Sequence, residues 1–106
     1  MPKYLTRSIL APEGVKGTLK EGGTARRAAI ERLAESLGMR LEAFYYGFGE
    51  DDVYAIYDAP DNVAAAALSM AVNAPGTSHV KTVVLITPEE MDEASRRRPE
   101  YAPPGG

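Results

Sequence analysis

The chain has 106 residues, with no cysteine, no tryptophan and a single histidine, His79. Without cysteine there are no disulfides, no thiolate chemistry and no Cys-based zinc or iron–sulfur site, which suits a reducing compartment and makes the cytoplasm the expected location. One histidine leaves only carboxylates as further metal ligands, and no helix carries them at a ligating spacing, so neither a metal nor a cofactor is expected. No apolar run is long enough to cross a bilayer, and Met1-Pro2-Lys3 leads into a strand without the apolar core of a signal peptide. Membrane association is therefore not expected.

Positive charge is scarce as well. Fifteen acids stand against twelve Lys and Arg, a formal charge of −3, so gripping a phosphate backbone would need a local basic patch. The one basic run, Arg96-Arg97-Arg98, falls at the end of a predicted helix, where cations complement the negative pole. Nucleic acid is not an expected partner. The 44% hydrophobic and 25% charged residues are those of an ordinary globular protein, and the length supports one domain.

What the chain does carry is a clear succession of periodicities. Tyr4 to Leu10 reads as a strand, and Pro12, Gly14 and Gly17 then introduce a short helical turn through Leu19 that Gly22-Gly23 breaks. Thr24 is the expected N-cap of the first main helix, in which Ile30, Leu33, Ala34 and Leu37 share a face; Gly38 is its stop. From Met39 to Phe48 the period becomes two. Met39, Leu41 and Ala43 are expected under the helices, and Phe44, Tyr46 and Phe48 on the opposite face.

Gly49-Glu50-Asp51-Asp52 turns the chain into Val53–Asp58. Asp61 caps an apolar helix running to about Val72, Asn73-Ala74-Pro75-Gly76 ends it, and His79–Thr87 is the last strand. Thr87-Pro88-Glu89-Glu90 combines an N-cap, a proline at the first helical position and a capping box, so another helix starts at Pro88. The predicted architecture is an α+β, ferredoxin-like βαββαβ sandwich with an extra C-terminal helix. Residues 1–98 form its single domain, and residues 99–106 a Pro/Gly-rich tail, either disordered or laid across a neighbour.

A sheet with helices on one face leaves the other to water. Phe44, Tyr46 and Phe48 on that face, with Tyr54 or Ile56 of the following strand, predict a homo-oligomer, two sheets packed face to face as a dimeric α+β barrel, since burying each large side chain is worth roughly 1.5–3 kcal/mol. The alternative is that the C-terminal helix folds back over its own sheet and the chain stays monomeric.

Three constellations are candidates for chemistry. Gly23, Thr24, Arg26 and Arg27 form either an anion cradle at a helix start or a simple break between helices with solvated arginines. Tyr46, Tyr57 and Asp58 on the central hairpin, with His79, either orient a small-molecule ligand inside apolar walls or serve packing. Glu50-Asp51-Asp52 reads as a hairpin turn rather than a cation loop.

Lys3-Tyr4-Leu5, Lys20-Glu21-Gly22-Gly23 with Ala25-Arg26-Arg27, Leu37-Gly38, Leu41-Glu42-Ala43-Phe44-Tyr45 and Ala59-Pro60-Asp61 together resemble the GYD-domain family over nearly the whole chain. The family's naming motif is altered, with Gly49-Glu50-Asp51-Asp52 replacing a Gly, Tyr and Asp run. The resemblance implies the ferredoxin-like, dimeric-barrel architecture and no settled activity. Two functional classes follow: a non-enzymatic or ligand-sensing oligomer with a metabolite between the sheets, or a cofactor-free isomerase or monooxygenase using His79, Asp58 or a hairpin tyrosine as acid or base. RNA binding on the sheet would need basic residues around the rings, and the net charge opposes it.

Overall fold

The computed structural model describes residues 1–105. Its elements are β1 (Lys3–Leu10), α1 (Pro12–Glu21), α2 (Gly23–Ser36), β2 (Arg40–Tyr46), β3 (Val53–Asp58), α3 (Asn62–Asn73), β4 (Ser78–Leu85) and α4 (Pro88–Ser95). The four strands form one sheet in the order β2-β3-β1-β4, every neighbouring pair antiparallel. With α2 and α3 as its crossovers, this is the split βαβ plan of a ferredoxin-like fold.

The local signals act as their chemistry requires. Asp61 accepts a hydrogen bond from the Ala64 amide at the start of α3. Thr87 and Glu90 close a reciprocal capping box on α4, with bonds of 3.0 and 2.9 Å. At the end of α2, Gly38 adopts φ +72°. Its amide donates to Glu35 and that of Met39 to Ala34, the paired return bonds that a left-handed residue after a helix makes possible. One boundary differs from expectation. α1 runs on to Glu21, and Gly22 at φ +87° turns the axis and precedes α2, so Thr24 lies inside the first turn and caps nothing.

Alternation along the strands separates two faces. Tyr4, Thr6 and Ser8 of β1, Ala55 and Tyr57 of β3 and Val80 of β4 are buried on the helix side. The core joins Tyr4, Ala55 and Tyr57 to Ala34 of α2, Met39, Ala59, and Ala65 and Leu68 of α3. Leu5, Arg7 and Ile9, with Tyr54 and Ile56 of β3 and Val83 and Leu85 of β4, occupy the opposite, open face.

β2 overturns the expected facing of the aromatics. Leu41 pairs with Tyr57 but Ala43 with Ile56, so Glu42 is an extra residue, a β-bulge. Beyond it the alternation is reversed. Phe44 and Tyr46 turn to the helix side, where Phe44 packs on the core and meets Tyr46 edge to face at 5.3 Å. Ala43 and Tyr45 turn outward, and Phe48 lies in the hairpin loop, fully exposed. Phe44 is half-buried there, worth roughly 1–1.5 kcal/mol, about as much as the ~1 kcal/mol of a lost ladder hydrogen bond, so the bulge costs little. The open face remains apolar, with Ile56 and Tyr54 there as expected, but Leu5, Ile9, Val83 and Tyr45 take the place of Phe44, Tyr46 and Phe48.

α4 does not fold back over the sheet. Every one of its residues is exposed, as are residues 96–105. The radius of gyration is 16.9 Å and the longest extent 56 Å, against about 13 Å for the radius of a compact chain of this length. The C-terminal arm accounts for the difference.

Candidate functional site

α2 stands on β2 and α3 on β4, leaving between them a cleft of about 210 Å³ with the sheet as its floor. The reason is local: the side chains that approach its middle are short, Ala29 from α2, Ala71 from α3 and Ala55, Thr6 and Ser8 from the strands. Ile30, Leu33, Phe44 and Val72 form apolar walls. α1 contributes Thr18, and the segment before β4 contributes Thr77 and Ser78.

The polar groups are arranged unevenly. Tyr57 is 3% exposed at the floor, and burial pushes its hydroxyl above the usual phenol range, against a smaller opposing effect of its hydrogen bond with Thr6. A phenol there stays neutral and offers a hydrogen bond. Tyr46 lies over the start of α2 and donates from its hydroxyl to the Gly23 carbonyl at 3.0 Å. Burial raises this phenol too, while Arg26 and Arg27 pull it back. Gly23 is what permits the approach: a Cβ there would sit 2.8 Å from the Tyr46 ring. Arg26 lines the cleft beside them, and its Nη1 is 3.6 Å from Glu21, beyond hydrogen-bonding distance.

The candidates read separately from the sequence are therefore regrouped. Tyr46 and Tyr57 come together with Gly23 and Arg26. Thr24 and Arg27 are exposed and do not line the cleft, although Arg27 is near enough to act on the Tyr46 phenol. Asp58 and His79 face the other way. Asp58 accepts from Lys3 at 2.9 Å and Arg40 at 2.6 Å, and these bonds, that of Lys3 foremost, hold its carboxyl below the ordinary range. Lys3 also donates to Glu42. His79 pairs with Ile9, whereas Asp58 pairs with Lys3; six residues along β1 separate them by roughly 20 Å, so they do not form one site.

The hairpin acids tie the loop to β1. Asp52 accepts from the Leu10 amide at 2.9 Å, and Asp51 is buried 3.8 Å from Arg7. Among the described residues no cluster of three or more His, Asp or Glu is placed to hold a metal ion, and no helix is long and apolar enough to cross a membrane.

Sequence reasoning missed Thr6, Ser8, Thr18, Ala29, Ala55 and Ser78. A signal was present in β1, where the core-facing register reads Tyr4, Thr6, Ser8: hydroxyls where a close-packed sandwich has aliphatics.

Fold and cleft together define a small α+β sandwich of the ferredoxin-like class with a ligand-sized opening between its helices. The chain belongs to the GYD domain family, whose model matches residues 4–95. No curated protein and no solved structure matches it.

Proposed function

We propose that this protein is a cytoplasmic, non-enzymatic homo-oligomer that binds a small molecule in the cleft between α2, α3 and the sheet, rather than between two sheets. The observation that carries the reading is the 210 Å³ space itself. A buried apolar cavity of about 150 Å³ suffices to hold benzene, and a concave apolar pocket with a few convergent hydroxyls is the usual form of a small-molecule site. The enzymatic alternative is weaker on this geometry. His79 and Asp58 lie outside the cleft, and the neutral Tyr57 is no base near pH 7.

Indole tests the reading directly, because a chain without tryptophan leaves its fluorescence unobscured. Saturable binding that Ala29→Leu abolishes is the expected outcome. Linear, non-saturating partition, or saturation untouched by Ala29→Leu, overturns it.

Oligomerisation is supported by a different observation. Ile9 and Val83 on the open face are 42% and 38% exposed, and Tyr45 70%, a patch of the kind that marks an interface. A second copy presenting the same face would cover it. Sedimentation of wild type and Val83→Lys is the test: a dimer that the lysine dissociates agrees, and a wild-type monomer at tens of micromolar does not.

A further inference from the structure

Resting on the cleft as a binding site, we infer that its ligand is a monoanion with a single ring or short branched body, an aromatic or branched-chain carboxylate held by Arg26. The argument begins with charge. The chain carries fifteen acidic residues, yet among the described residues lining the cleft none is acidic, and Arg26 is the only charged one. A space ringed by hydroxyls and aliphatics with one cation at its edge selects against cations. It gives an anion one place to sit.

Arg26 is available for that role. Its contact to Glu21 is long, 3.6 Å, and the partner acid is half exposed, so a ligand carboxylate displaces a weak, solvated pair. The guanidinium fork matches the two oxygens of a carboxylate in a bidentate arrangement. Arg26 also lies in the first turn of α2, whose positive pole adds to the same field. One fork in the lining, with Arg27 acting only at a distance through its field on Tyr46, suits a single negative charge better than a phosphate dianion, which collects several cations in direct contact.

Size and walls fix the rest of the ligand. A volume of 210 Å³ exceeds the ~150 Å³ that accommodates benzene by about the space of one substituent. Ile30 and Phe44 in the walls offer apolar contact, and Tyr57 and Thr6 of the sheet line the floor. Tyr57, a neutral phenol beside Thr6, meets a polar substituent as donor or acceptor. Tyr46, anchored on the Gly23 carbonyl, closes over the carboxylate end.

Benzoate and benzamide, equal in shape and different in charge, separate the inference from its foundation. By calorimetry or NMR titration at low salt, wild type is expected to bind benzoate about tenfold more tightly than benzamide, the usual worth of a hydrogen-bonded charge pair. Arg26→Gln erases the preference, Arg26→Lys restores part of it, and Arg27→Gln keeps it. Folding of each variant is checked by circular dichroism. Binding of both ligands without preference, or a preference that survives Arg26→Gln, refutes the carboxylate assignment while leaving the cleft as a site. Binding of neither probe, together with no saturable indole binding, removes the site and the assignment with it.

Discussion

Replacing Ala29 by leucine tests whether the space between α2 and α3 is real, because two packing states give opposite signs. Leucine adds three carbons, and at ~0.8 kcal/mol per buried carbon full burial is worth about 2.4 kcal/mol. Ala29 is half-buried, so the expected gain is about half of that, ~1 kcal/mol. Helix propensity runs slightly the other way, since alanine is the better former; a gain therefore has to come from filling. Were α2 and α3 in close contact at this point, the same side chain would overpack them and destabilise by ~1–3 kcal/mol. Urea denaturation at fixed protein concentration reads the difference. With a slope of ~1 kcal/mol/M, the midpoint rises by about 1 M and the thermal midpoint by roughly 4–8 °C. A lowered midpoint at unchanged slope would refute the open-cleft reasoning.

Three further predictions follow from the same geometry. Tyr57 has a phenol raised by burial, so its contribution is complete below the unfolded value near 10 and is lost as pH climbs through the folded one; Tyr57→Phe should flatten the alkaline limb of a stability-against-pH curve. Asp58 has the opposite sign. Its carboxyl is lowered by Lys3 and Arg40, so stability is present above the unfolded value near 4 and is lost as pH falls through the folded one; Asp58→Asn should flatten the acid limb, and an unchanged limb would show that the ion pairs are idle. Gly23→Ala should leave stability within about 1 kcal/mol, because a gain in helix propensity offsets the displaced Tyr46 hydroxyl bond. The same change should bring the Tyr46 phenol back toward its ordinary range in a spectrophotometric titration, as the ring loses cover.

Much of the architecture was legible because it is encoded locally. Asp61 and Thr87 with Glu90 announce helix starts by the hydrogen bonds their side chains make within three residues, and Gly38 announces a stop by the φ it alone adopts cheaply. The number and type of strands follow from period-two stretches of the same local kind. Thr24 misled because Gly22, two residues earlier, breaks the axis and takes the start of α2 from it.

Which way the β2 rings face was settled only by tertiary structure. A strict alternation from Met39 sends Phe44 and Tyr46 to the open face; the single extra residue Glu42 sends them beneath α2. Whether a strand bulges depends on its pairing with β3 and on which face buries more apolar surface, and neither is a property of residues 39–48 alone. The site obeyed the same logic. Tyr46, Tyr57, Gly23 and Arg26 were each visible as reactive or binding types, but their meeting depends on the bulge, on the turn at Gly22 and on the short side chains that leave the space between α2 and α3 unfilled. Composition and local pattern determined the elements and excluded thiol chemistry; long-range packing decided which residues share a space, because contact across more than twenty positions of chain is an outcome of the folded sheet rather than of spacing along it.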